Sequence, residues 1–383
     1  RRNLKIRICN FQGPDHTTKY YMSRKLVTQS DIARETGVSQ RAVASVVGRI
    51  GNGHGVRVSE ATRLRILEVA NRLGYRPQRQ AQLLRGIRSG MIGMIKGITL
   101  HQHGVERAYH ASLAIHCSDY GLLTQELLWS SSSDLERVME IFLDAKVEGV
   151  LIAGGTGNAD FTLLEKAGIP VVSLGGAKFP KIPYVGADYR QGMRDLTAHL
   201  IALGRRRLAY EISCRSFTKE MPANWDVFQR QAGFLDACRA AALDEKDVRI
   251  LQQPVRDVSF DWFEPGYQAA AALLGSGDLP DALVCQNDFH AFGAQKYFLE
   301  RGEDLPGRLA LTGFDDAAMG RYLPIPLTTV ALPAAAMANC AVELLIKLIR
   351  GECSPASAPR ATLLPCELIV RDSCGANRPL SPR

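Results

Sequence analysis

"VTQSDIARETGVSQRAVASVV", residues 27–47, decides how the front of this 383-residue chain is read. Thr28 is a good N-cap, and Asp31 stands three places on, where its carboxylate completes a capping box with Asp in place of Glu. Ile32 and Ala33 then face inward and Gly37 supplies a turn. Ser39 caps a second short helix with Ala42, Val43, Val46 and Val47 on or near its apolar face. Two helices joined by so short a glycine-containing turn are predicted to form a helix-turn-helix, whose second helix puts its N-terminal side chains into the major groove. Gln40 and Arg41 hold those positions. Gln bridges adenine N6/N7 and Arg bridges guanine O6/N7, each worth about 1–3 kcal/mol of base discrimination. On pattern alone, a plain helical hairpin is the competing reading.

The charge distribution bears on that choice. Residues 1–90 hold 18 Lys and Arg against 5 Asp and Glu, a balance of +13, and the remainder holds 29 against 34, a balance of −5. A basic front on a mildly acidic body points to a polyanion at the front, with a solvated basic arm as the bland alternative. Downstream, Ser59 caps a third helix whose Ile66, Val69, Ala70 and Leu73 recur at helical spacing before Gly74 ends it. Pro77 suits the first turn of a short fourth helix, "QRQAQLLR", that stops at Gly86. Upstream, residues 1–25 read as a disordered extension. Met22 is a candidate natural start, which the sequence leaves open.

From residue 90 the pattern changes. "MIGMI", "LLTQELLW", "GVLIAG", "PVVSLG", "RLAYEIS", "DALVCQ" and "LALTGF" alternate with amphipathic stretches such as Ser133–Lys146, Arg190–Leu203 and Asp288–Arg301. Such alternation predicts parallel α/β sheets, and there are too many units for one sheet of usual size. Two lobes with a cleft between them are expected. No apolar run of about 18 or more residues is present, so no membrane span is expected. No secretory signal is visible, and nine scattered cysteines without a CxxC suit free thiols in a reducing cytoplasm.

Read together, residues 26–93 resemble the head of the lactose/galactose repressor (LacI/GalR) family. That family's V-T-x-x-D-I-A-x-x-A-G-V-S-x-x-T-V-S-R-V-L-N is similar to "VTQSDIARETGVSQRAVASVVG". "VSEATRLRIL", "GYRPQRQAQLLR" and "SGMIG" match its next segments in order. The resemblance runs to about residue 374 through "VGADYRQGMRDLTAHLIALGRRRLAY", "ALVCQNDFHAFGAQKYFLERG" and "LALTGFDDAAMGRYLPIPLTTV". It implies an N-terminal all-α helix-turn-helix head plus an α/β two-lobed periplasmic-binding-protein-like domain. The implied boundaries are a helix-turn-helix domain over 26–75, a hinge helix and linker over 76–89, lobe 1 over 90–186 with about 332–364, lobe 2 over 187–331 with about 365–374, and a tail over 375–383.

The resemblance also implies a function: a regulator, expected to repress, whose homodimer holds a pseudo-palindromic double-stranded DNA operator under control of a small sugar-like effector. The candidate DNA contacts are Thr28, Gln29, Ser39, Gln40, Arg41, Ser45, Arg79, Ala81 and Leu84. Leu84 stands where the family wedges a hinge-helix leucine between base steps, which kinks the duplex; packing of Leu83 and Leu84 on the first lobe is the alternative. The family's T-V-S-R is "AVAS" at Ala42–Ser45, so one base contact is expected to be lost, and the loop before the third helix is longer than usual.

The candidate effector contacts are Arg230, Asn287, Asp288, Asp315, Trp262 and Trp225. Charged, bidentate partners suit a vicinal diol or a carboxylate. Helix N-capping is the alternative for Asp288 and Asp315, and lobe core is the alternative for the aromatics, Phe260 included. His101, His103 and Glu106 sit in a loop and are expected to bind no metal. No cofactor is expected.

Enzyme readings have little support. "GGTGNAD" (154–160) resembles a dinucleotide loop, but Asp160 occupies the third glycine position, where a carboxylate would repel pyrophosphate. "SFTK" (216–219) lacks the partner motifs of penicillin-binding enzymes. An exported sugar-binding protein with a decorative head is the remaining alternative.

Overall fold

The computed structural model of the protein describes residues 27–47, 56–75, 88–97, 121–127, 132–153, 160–176, 178–214, 225–254 and 261–376. The expected hinge helix with Arg79, Ala81 and Leu84, the loop with His101, His103 and Glu106, Phe260 and "SFTK" lie outside the described residues. The chain divides into two compact units, with the boundary between Arg88 and Ser89.

The first unit contains α1 (Gln29–Thr36), α2 (Gln40–Val47) and α3 (Glu60–Leu73). The Thr28 hydroxyl accepts from the Asp31 amide at 3.3 Å, and the Thr28 amide donates to the Asp31 carboxylate at 2.9 Å, which closes the capping box. Gly37 ends α1 at φ 72°, where a side chain would be strained. Ser39 accepts from the Ala42 amide, and Ser59 caps α3 through the Thr62 amide. Helices of eight residues are unstable alone. Ile32, Val43, Ile66, Val69 and Ala70 supply a buried core, closed by Val38, Val46, Val47, Leu73 and Tyr75. Each fully buried branched side chain contributes about 1.5–3 kcal/mol.

The second unit begins with β1 (Met91–Gly97), β2 (Gly121–Leu127), α4 (Ser132–Asp144), β3 (Gly149–Ala153), α5 (Thr162–Lys166), β4 (Val171–Leu174), β5 (Tyr184–Ala187) and α6 (Tyr189–Ala202). Then come β6 (Leu208–Cys214), α7 (Trp225–Ala240), β7 (Val248–Pro254), α8 (Glu264–Gly275), β8 (Ala282–Cys285), α9 (Asp288–Glu300) and β9 (Ala310–Thr312). It ends with β10 (Thr329–Ala331), α10 (Ala334–Arg350), β11 (Ala361–Leu364) and β12 (Glu367–Ile369).

One sheet has the order β11-β5-β4-β3-β1-β2 and the other β7-β6-β8-β9; both are parallel throughout. Parallel strands covered on both faces read as continuous apolar runs. Gly149–Ala153 and Ala282–Cys285 are such runs, and the described strand residues there are buried. The chain passes between the sheets after β5, after β10 and between β11 and β12. The last two crossings pair as an antiparallel ribbon, β10 with β12. One apolar cluster runs through both sheets, from Ile92, Met94 and Val172 to Leu208, Tyr210 and Phe234.

Where α8 crosses α9 the two backbones nearly touch. A Cβ at Gly266 would lie 1.7 Å from the His290 carbonyl oxygen, and one at Gly293 would lie 1.9 Å from that of Phe263. Glycine permits that approach, and it sets the depth at which α9 lies on the second sheet.

Candidate functional site

The sequence places Asp226 and Arg230 one helical turn apart, and α7 carries both toward the C-terminal ends of β6, β8 and β9. Open parallel sheets bind ligands at that end. The Arg230 guanidinium donates through Nη1 to the Gln286 carbonyl at 2.6 Å. Its Nη2 lies 3.3 Å from an Asp226 oxygen and 3.5 Å from an Asp315 oxygen. Its Cζ lies 5.1 Å from the Tyr189 centroid and 4.6 Å from that of Phe314, and the two rings neighbour each other with centroids 6.2 Å apart. Arg230 is 3% exposed, and its Nε has no hydrogen-bond partner among the described residues.

Burial of so many charges has consequences. It works against the Arg230 cation, but Asp315 and Asp226 outweigh it and hold the guanidinium protonated. Burial pushes Asp315 up to about 7 against the pull of Arg230, and it raises Asp226 for the same reason. A carboxyl raised in the folded state favours folding below its unfolded value, near 3.8 for Asp315, and that contribution is lost as pH rises through about 7. Asp236 is opposite in sign, because its hydrogen bond from Arg190 holds it down to about 2 and its contribution fades only in acid. The stability of the second unit is therefore expected to fall from pH 5 to pH 8 by an Asp315 share on the order of 3 kcal/mol. Urea titrations of wild type and Asp315→Asn at both pH values check this; parallel pH profiles would refute it.

Two aromatic candidates behave differently. Trp225, the first residue of α7, sets its ring 5.0 Å from Tyr184 of β5 and 6.1 Å from Tyr189 of α6. Lys178 Nζ stands over the indole at 5.2 Å. Trp225 thus meets one ring from a strand of the first sheet and one from α6, and it borders the Arg230 cluster. Trp262 lies half-buried in the turn before α8.

The capping alternative for the acidic candidates is corrected. Asn287, not Asp288, caps α9, and it accepts from the His290 amide at 2.9 Å. Asp288 has no exposed surface. One of its oxygens accepts from the Thr329 hydroxyl at 2.5 Å and the other from the Ala317 amide at 2.6 Å. In this conformation both of its oxygens are engaged within the protein, which counts against Asp288 as an effector contact. Asp315 caps no helix; it lies at φ 109°, and Asp316 follows at φ 50°. Two consecutive non-glycine residues with positive φ cost about 1–3 kcal/mol each.

Sequence reasoning passed over several groups. Besides Asp226, Tyr189 and Phe314, there is a fully buried pair in which His290 Nδ1 lies 2.7 Å from a Glu211 oxygen. The signal was an acid inside the apolar run "RLAYEIS". Gln286 extends the sheet by accepting from the Ser213 amide and donating to its carbonyl, both at 2.9 Å. Among the described residues, no group of three or more His, Cys, Asp or Glu is placed to hold a metal ion.

At the head, Gln40 and Arg41 are exposed on the first turn of α2, Thr28 is exposed and Gln29 half-buried. Ser39 is exposed, but its hydroxyl oxygen is engaged in capping α2. The Ser45 hydroxyl faces backbone oxygens, Ala42 at 2.7 Å and Val56 at 3.2 Å, so its proton is held within the protein.

Comparison with known proteins accords with both halves. Residues 28–78 match the model of bacterial regulatory proteins of the lacI family, and residues 197–374 match a periplasmic binding protein-like domain. The transcriptional regulator MalR of Streptomyces coelicolor is 30% identical over 358 residues, which cover 90% of this chain and 95% of that protein. The structure of a Lac repressor dimer bound to operator and the anti-inducer ONPF shares the fold, with a TM-score of 0.74 at 21% identity over 91% of this chain and 99% of that one. A complex of the transcriptional regulator CelR with cellobiose has a TM-score of 0.63 at 24% identity, with the same coverage. With its three-helix head and two-sheet α/β domain, the chain belongs to the lacI family of bacterial regulatory proteins.

Proposed function

We propose that this transcriptional regulator works as a cytoplasmic homodimer on a pseudo-palindromic operator, and that a small sugar-like molecule held between lobes 90–186 with 332–364 and 187–331 with 365–374 alters its hold on DNA. The observation that carries the effector reading is the buried Arg230 guanidinium, set against the neighbouring rings of Tyr189 and Phe314 and flanked by Asp226 and Asp315. Rings suit the apolar face of a sugar, while the guanidinium and carboxylates suit its hydroxyls. Cellobiose in the CelR relative supports that class. The proposal is binding, not turnover.

At the head, exposed Gln40 and Arg41 are the proposed base readers, with Thr28 and Gln29 on the backbone and Arg79, Ala81 and Leu84 in the minor groove. The tight bonding of Ser39 and Ser45 to their own helix leaves them to shape the head. Arg41→Ala is expected to lose about 1–3 kcal/mol of discrimination at one operator position, measured by binding to single-base operator variants. An unchanged preference at every position would remove Arg41 from the readout.

The whole reading is tested by selecting duplex fragments with the purified protein and titrating the best of them with and without mono- and disaccharides, cellobiose included. An effector can move the DNA equilibrium only by its differential affinity for the two lobe arrangements. If sugars bind the protein but operator affinity stays constant, the switch is refuted.

A further inference from the structure

Asp288 makes more contacts inside the protein than an effector ligand should. Its amide donates to the Phe314 carbonyl at 2.9 Å, and its carboxylate takes the Ala317 amide, so it spans both ends of the turn that carries Asp315. The same carboxylate takes the hydroxyl of Thr329, the first residue of β10, at 2.5 Å. That hydroxyl in turn accepts from the Asp316 amide at 3.4 Å. The Asp315 amide donates to Val330, again in β10, at 2.8 Å. From the other crossing, Arg371 bonds Asp316 at 2.5 Å and the Leu327 carbonyl at 2.8 Å. The turn between Phe314 and Ala317 is therefore gripped from α9, from β10 and from the segment after β12. Its two positive-φ aspartates would not stay in place without such a grip.

We propose that Asp288 and Thr329 form a latch that positions the Asp315 carboxylate against Arg230 and ties that placement to the β10 crossing between the lobes. Asp288 is a positioning residue here and touches no effector. β10 leads directly into α10, which packs on the first sheet, so a shift of Asp315 is felt where the chain passes from one lobe to the other. The inference builds on the effector reading above, but the latch itself is measurable in the free protein.

The test is amide hydrogen exchange on the full chain for wild type, Thr329→Val, Thr329→Ser and Asp288→Asn. Thr329→Val keeps shape and removes the hydroxyl; exchange at Asp315, Asp316 and Ala317 is expected to rise at least about tenfold, with the head helices unchanged. Thr329→Ser keeps the hydroxyl and is expected to stay within about twofold of wild type. Asp288→Asn keeps one acceptor and should fall between. A second readout is the carboxyl titration of Asp315, which should drop below its wild-type position in Thr329→Val as the turn admits water. If exchange in the valine variant is unchanged, or if serine is as damaging as valine, the latch is overturned. Failure of the effector reading would show only in the operator titration and would leave these exchange rates as expected.

Discussion

Replacing Arg230 with alanine is expected to cost the second unit about 3–5 kcal/mol near pH 8 and to abolish any response to effector. The cause is what remains behind. Buried Asp315 and half-buried Asp226 are both held down by this guanidinium, so its removal takes the cation away from two carboxylates that burial already disfavours. Tyr189 and Phe314 lose the cation they both neighbour as well. The loss has a pH signature. Without the cation both carboxyls hold their protons more tightly, so the deficit should shrink as pH falls toward 5. Urea unfolding at the two pH values measures it, and a deficit of equal size at both would mean that packing, not charge, is what Arg230 supplies. Arg230→Lys keeps one charge but loses the planar fork, and it should recover only part of the loss.

The second large effect is steric. Gly266→Ala is expected to destabilise the second unit at or above the upper end of the about 1–3 kcal/mol that overpacking costs. The new methyl would lie 1.7 Å from the His290 oxygen and 2.4 Å from its carbonyl carbon, and both are backbone atoms that no rotamer change can clear. α9 would have to lift, and it carries Asn287, Asp288 and His290 with it. Gly275→Ala is the control, because it lies at the end of the same helix and a Cβ there meets nothing within 4 Å. That variant should be neutral or gain up to about 1 kcal/mol in thermal unfolding. Similar losses in both variants would show that the crossing tolerates separation.

Much of this architecture was legible in the residues because the physics is local. The capping box at Thr28, the turn at Gly37 and the i, i+3, i+4 spacing of α3 each depend on neighbours within one or two turns. The seven apolar runs were legible because parallel strands are buried on both faces. β5, β7, β11 and the β10–β12 ribbon were not. β5, β10, β11 and β12 are only three or four residues long, and β7 (VRILQQP) lies at a sheet edge and lacks a continuous apolar run. The site was half legible. Arg230 and Asp315 came from segments in family order, and the structure brings them together. Asp288 was ambiguous, since an acid after asparagine at a strand end reads alike whether it faces a ligand or a loop. Only the positions of Thr329 and Ala317, dozens of residues away, tell the two apart. Glu211 and His290, 79 residues apart, pose the same difficulty.

The indole of Trp225 gives the molecule an optical gauge. It lies against Tyr184 from one sheet and Tyr189 beside the other, with a lysine ammonium over its face. Any rotation of one lobe against the other changes the distance from that ammonium to the ring and the polarity around it. With Trp129 and Trp262 replaced by phenylalanine, its fluorescence maximum is expected to follow closure of the proposed lobes with no dye attached.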